Sequence, residues 1–328
     1  MNPRPESGLT IAQNAALTRR VTALSLGFAA LLTVLKLGAW IASGSVSMLA
    51  SLADSGLDML AAGATFFAVR YAATPPDQEH RYGHGKAEAF ASLVQAGLVF
   101  ASAALVAREA VQHLVHPTAV THEAADLVIM ALSTVLTIIL VQAQGRVLAS
   151  AQSVAVSGDR AHYLADVAAN LAAFAGIALG EFAASPFPDA IAGLLVVAWL
   201  VWGAVGVFRG ASVELMDREL DEAARQRILA LIGEDARIRG LHQLRTRAAG
   251  PYIHMQVHAD LDPHMTLVQA HEVMIAAERR VLEAFPAADI LIHPDPSGHA
   301  EPHGGPFGEP EAIQSIEDAA AGPEAAAR

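Results

Sequence analysis

Four stretches of this chain, 21–41, 89–107, 127–141 with its flanks and 190–208, are apolar almost without interruption. Crossing the hydrocarbon core of a bilayer takes about 20 mostly apolar residues in a helix. Backbone groups find no water there and must bond within their own segment, so such runs can become little else. Two further segments reach that length only if polar groups are tolerated inside them: 46–69 contains Asp54 and Asp58, and about 153–180 contains His162 and Asp166. The composition agrees, with 53% hydrophobic and 16% charged residues and a mean hydropathy of +0.38, the profile of a membrane protein. Six spans place both termini on one side. No secretory signal is expected, since the start is polar and the first apolar run is too long for a signal segment.

Loop charges set the direction. The candidate outer loops, 42–47, 113–123 and 181–189, hold no Lys or Arg, whereas Arg4, Arg19, Arg20, Arg70, Arg81, Lys86, Arg146, Arg160 and Arg209 lie toward the other side. The excess of positive charge on cytoplasmic loops makes that side the cytoplasm. The net charge of −12 argues against a nucleic-acid partner, which calls for a basic face.

After Arg209 the pattern changes. Residues 219–232 read as an amphipathic helix, and 238–247 and 252–261 as strands separated by a Gly250-Pro251 turn. In the second strand Ile253, Met255, Val257 and Ala259 face one way, and His254, Gln256 and His258 the other. Thr266 opens a helix through Phe285, with Gln269 placed for a capping box. A last strand spans 288–293, and the Gly/Pro/Glu/Ala-rich stretch from Ser297 is expected to be disordered. The fold class is therefore an all-α six-helix transmembrane domain plus a small α+β domain of order α-β-β-α-β.

There is no cysteine, which removes thiolate metal sites, disulfides and thiol redox chemistry. Any metal site must be built from His and carboxylate, which suits Zn²⁺, Fe²⁺, Co²⁺ or Mn²⁺ better than Cu⁺. Asp54 and Asp58 are four apart, as are His162 and Asp166, so each pair lies on one helix face about a turn apart. Two such helices side by side make a tetrahedral Asp/Asp/His/Asp cage. Carboxylates in the membrane interior are expensive unless paired, so this group needs a cation or protons. Lys36, in the first span, is expected to snorkel to the outer interface without a role. The loop after the second span offers Asp77, His80 and His84 as a three-ligand set. In the soluble part, His242 and His258 fall on adjacent strands, His271 on a helix, and His293 and Asp295 point the same way at the end of the last strand.

Two other functions compete with transport. A membrane metalloenzyme could use His271-Glu272 as the start of an H-E-x-x-H helix, but position 275 is Ile. A metal-sensing receptor that moves nothing would not need four ligands inside the bilayer.

The segments GSVSMLASLADSGLD, HRYGHGKAE, HYLAD, LHQLRTR, VQAH and IHPDP carry a resemblance over about residues 15–296 to the cation diffusion facilitator family, specifically its bacterial zinc/iron efflux branch. The resemblance implies a homodimer in the bacterial inner membrane that exchanges cytoplasmic Zn²⁺ for protons. It implies a transport site at Asp54, Asp58, His162 and Asp166, a loop site at Asp77, His80 and His84, and a binuclear site at His242, His258, His271, His293 and Asp295. It also implies a charge network between subunits involving Lys86 and Asp217. His254 departs from the pattern as a possible competing ligand. The expected division is a cytoplasmic segment at 1–16, the transport domain at 17–209, a cytoplasmic metal-binding and dimerisation domain at 210–296, and the tail at 297–328.

Overall fold

A computed structural model of the chain describes residues 11–43, 46–115, 124–151, 153–183 and 187–299. Of the stretch expected to be disordered, 297–299 form a turn in which the N–H of Ser297 donates to the carbonyl of Leu261 at 2.8 Å, and 300–328 lie outside the described residues. Six long helices come first: α1 (Ile11–Ser43), α2 (Val46–Ala72), α3 (Ala87–Val115), α4 (Ala124–Leu148), α5 (Val154–Ala183) and α6 (Phe187–Leu215). Then follow α7 (Glu222–Gly233), β1 (Gly240–Ala249), β2 (Tyr252–Leu261), α8 (Leu267–Ala284) and β3 (Ala288–Pro296). The chain divides into two compact units between Leu215 and Met216.

The helical unit is built the way a bilayer demands. Large apolar side chains point outward, among them Leu31, Leu60, Leu105, Val135, Leu195 and Trp202, the last 76% exposed. The interior is lined by small residues such as Ala61, Ala62, Ala96, Ala103, Ala155, Ala165 and Ala204. Lipid gives helices no hydrophobic reason to associate, so close backbone approach between small residues has to do it. Five helices (α1, α2, α3, α4 and α6) are long and apolar enough to cross a membrane by length and composition. The fifth in order, α5, is as long as the others but carries Asp159, Arg160, His162 and Asp166. Hydroxyls inside the bundle bond back to their own helices, as Thr22 does to the carbonyl of Thr18. Thr33 of α1 donates both to Ala29 and across to the carbonyl of Ser55 on α2.

The second unit is one three-stranded sheet, ordered β1-β2-β3, with β1 antiparallel and β3 parallel to β2. Met255, Val257 and Ala259 of β2 pack with Val273, Ala277 and Val281 of α8 and with Ile228 and Ile232 of α7. The helices therefore cover one face. The Thr266–Gln269 capping box is present in full. The amphipathic helix starts at Glu222 rather than 219, because Asp221 caps it by accepting from the N–H of Ala224. A bulge interrupts β1 between His242 and Arg245, where Gln243 has φ of 53°. The extra residue shifts the register by one, and the strand continues to Ala249.

Candidate metal sites

The second and fifth helices bring the two intramembrane pairs together. Nε2 of His162 lies 2.9 Å from Oδ1 of Asp58 and 3.9 Å from Oδ2 of Asp166. One ligand atom from each of these three side chains lies within 4.8 Å of the others. One imidazole nitrogen thus faces both carboxylates, the geometry of groups that can share an ion. Nδ1 of His162 is buried with no hydrogen-bond partner among the described residues. Asp54 is not in this close trio. It lines a cavity of about 290 Å³ together with Asp58 and Asp166, one helical turn away along α2. Lys36 lines the same cavity and donates to the carbonyl of Ser51 at 3.3 Å. It was expected to have no role. An uncompensated ammonium in a span costs several kcal/mol, and the acidic cavity is what makes it tolerable here.

The loop after α2 folds its three candidate ligands onto one another. Oδ1 of Asp77 accepts the N–H groups of Glu79 and His80 at 2.9 and 2.6 Å. Asp77 also reaches Nδ1 of His80 and Nε2 of His84, both at 3.3 Å. The backbone N–H of His80 is the main cause holding the Asp77 carboxyl below its ordinary range. Gly83, with φ of 81°, provides the left-handed turn that folds His84 back. The hydroxyl of Thr74 donates to the carbonyl of Tyr71 at 2.6 Å and lies 2.9 Å from Nδ1 of His84. With its proton so used, Thr74 accepts from Nδ1–H, and the lone pair of His84 Nε2 is left facing Asp77. Orienting a histidine through its second nitrogen is the usual outer-shell device at metal sites. Thr74 was missed from sequence, because only the folded loop brings it to His84.

In the sheet, His242, His258 and His293 are direct cross-strand neighbours. His242, His258 and Asp295 have ligand atoms within 4.8 Å of one another. Oδ2 of Asp295 lies 2.8 Å from Nδ1 of His258 and 3.3 Å from Nε2 of His242, and Oδ1 lies 3.4 Å from Nε2 of His293. Asp260 approaches His242 at 3.9 Å. Burial is the largest influence on His258 and keeps it below the usual histidine range, against the attraction of Asp295. His271 is exposed on α8 and is not in this cluster. That helix covers the face bearing Met255 and Val257, opposite the one bearing His258. His254 does not compete for the cluster, since its Nδ1 meets Oδ2 of Asp289 at 3.1 Å. Asp217 pairs with Arg247 at 3.2 Å, and Lys86 donates to the carbonyl of Leu215 at 3.4 Å.

The family model for the cation efflux transmembrane domain matches residues 22–216, and that for the cation efflux protein cytoplasmic domain matches 220–297. The chain belongs to the cation diffusion facilitator family. Among its relatives, the cation-efflux pump FieF of Shewanella oneidensis is 39% identical over 272 residues, covering 83% of this chain and 92% of the relative. FieF of Citrobacter koseri is 37% identical over 268 residues, covering 82% and 89%. A solved chain of CzrB in a zinc form is 30% identical and covers 26% of this chain and 98% of its own length, at a TM-score of 0.25. Members of the family are cation-efflux transporters rather than enzymes, and the five apolar helices make this member a multi-pass membrane protein.

Proposed function

We propose that this transporter exports Zn²⁺ from the cytoplasm in exchange for protons, loading the ion between Asp54, Asp58, His162 and Asp166. The observation that carries the reading is the meeting of Asp58, His162 and Asp166 from two helices beside a cavity that Asp54 also lines. One imidazole with three carboxylates favours Zn²⁺ and Cd²⁺ over Mg²⁺ and Ca²⁺, which prefer six or more oxygens. Fe²⁺ and Co²⁺ accept the same ligands.

Exchange follows from competition. The lone pairs that bind Zn²⁺ also bind protons, so metal entry releases protons and proton entry expels metal. The Nε2 of His162 faces two carboxylates at once, and an imidazole is the natural carrier because histidine is the side chain whose unperturbed pKa lies nearest physiological pH. Its Nδ1, without an acceptor, leaves the imidazole less firmly oriented than at a structural site. That suits a site which must release its ion each cycle. Moving Zn²⁺ outward against an inside-negative potential costs about 4.6 kcal/mol per 100 mV, at about 2.3 per charge. One entering proton returns about 2.3, plus about 1.4 per pH unit.

The same reading places the protein as a homodimer in the bacterial inner membrane with both termini in the cytoplasm. The transport domain covers 17–209 and a cytoplasmic metal-binding and dimerisation domain covers 210–296. The loop group (Asp77, His80, His84) and the sheet group (His242, His258, His293, Asp295) bind zinc as regulatory ions. Filling the sheet group draws two soluble domains together.

Purified protein in liposomes with an encapsulated zinc dye tests the transport site. Wild type is expected to pass Zn²⁺, and Asp58→Ala and Asp166→Ala to lose most of that flux while remaining folded. Zinc flux of wild-type size in Asp166→Ala would refute the site.

A further inference from the structure

Not every buried ionisable group in the helical unit belongs to the site described above. Asp159 of α5 is 1% exposed, and a carboxylate at membrane depth is costly enough to require a reason. No lysine or arginine side chain hydrogen-bonds to it among the described residues. Its partners include amides from two other helices: Gln95 of α3 donates to Oδ1 at 3.3 Å, and Gln144 of α4 donates to Oδ2 at 2.8 Å, with the hydroxyl of Ser25 on α1 as a further donor. Gln95 is 1% and Gln144 0% exposed.

The same two amides reach further. Nε2 of Gln95 also bonds the carbonyl of Ala61 at 3.2 Å and Oγ1 of Thr65 at 2.9 Å, both on α2. Nε2 of Gln144 also bonds Oγ of Ser25 on α1 at 3.0 Å. Ala61 is three residues after Asp58, and Asp159 is three residues before His162. Gln95 therefore ties α2 to α5 one turn from each residue of the 2.9 Å Asp58–His162 contact. A glycine makes the approach possible, since a Cβ on Gly158 would lie 3.3 Å from the Cα of Ser92 and from the Cβ of Gln95.

We infer that Asp159 is a positioning residue of the transport site: through Gln95 and Gln144 it fixes the rotation and lean of α5 against α2, and so the spacing of His162 from Asp58. A carboxylate suits this task because its two oxygens can accept from several donors at once. The inference rests on the transport site proposed above.

The test compares initial zinc uptake by full-length protein in liposomes over a range of zinc concentrations. The proteins are wild type, Asp159→Asn, the double variant Asp159→Asn/Gln144→Glu, Gln144→Leu and Asp166→Ala. The asparagine keeps the side chain's shape but sets a donor against an amide donor. Loss of an outer-shell partner typically costs 10–100-fold in metal affinity, so Asp159→Asn should raise KM for zinc at least about tenfold, with kcat changed less. The double variant again sets one carboxylate against one amide and should bring KM back toward wild type. Gln144→Leu removes one arm and should raise KM if Asp159→Asn proves too unstable to assay. A wild-type KM in whichever of these two folds overturns the inference. So does a double variant that regains the thermal stability of wild type while KM stays raised, because the network would then be structural only. Wild-type uptake by Asp166→Ala would instead overturn the transport site itself.

Discussion

Metal preference should turn on His162, the single imidazole among four proposed ligands. Replacing it by Asp makes an all-oxygen site, which harder ions prefer, and the ratio of Zn²⁺ to Mn²⁺ flux is expected to fall. Competition flux with the two ions measures it, and an unchanged ratio would remove His162 from the site. In the soluble unit, burial holds His258 below the ordinary histidine range near 6.5. The neutral, metal-binding form therefore persists to lower pH than for an exposed histidine. Zinc binding to this cluster, followed in Asp166→Ala to silence the transport site, should weaken only as pH drops below that ordinary value. Half-loss above pH 7 would contradict it. The two pairs were legible in the sequence because Asp54/Asp58 and His162/Asp166 each stand i,i+4 within a long, mostly apolar segment. The roles of Lys36, Thr74 and Asp289 were not. Each depends on a neighbour distant in sequence or on a folded loop, and no periodicity reports such a meeting.

At the level of elements, β2 is the strand on which the soluble unit depends. Met255 is 1% exposed and packs between the sheet and its two helices. Met255→Ala should cost about 2–5 kcal/mol of that unit's stability, the usual range for truncating a buried large side chain, readable as a lower denaturation midpoint. At the start of α5, Ser153 donates to Glu88 of α3 at 2.5 Å and accepts from the N–H of Val156 at 3.1 Å. Ser153→Ala should cost about 0.5–2 kcal/mol, as the loss of a helix cap does. Element order and the cap of α8 could be read directly, since apolar spacing and a Thr-x-x-Gln pattern are local signals. The bulge at Gln243 could not, because a strand's pairing partner decides where an extra residue is accommodated. For the same reason His242, His258 and His293 could be assigned to strands but not to one row. His271 is held off that row because it is exposed on α8, whose apolar face, with Val273 and Ala277, packs on the opposite side of the sheet.

For the molecule as a whole, the fold class read from the sequence is the one observed: an apolar helical part followed by a small sheet with two helices. The physics differs between these two parts. Within the helices small residues face inward and large ones outward, whereas in the sheet unit large residues form the core. Among the polar groups buried inside the helical part, His162 meets Asp58 and Asp166, and the Gln95–Asp159–Gln144 network lies one turn away. Coupled exchange at that place is the central claim, and liposomes carrying both a zinc dye and a pH dye test it most directly. With zinc outside and an acidic interior, zinc entry should be accompanied by proton exit, and both signals should vanish together in Asp166→Ala. Zinc entry without any proton movement, or coupled movement that survives in Asp166→Ala, would contradict the account.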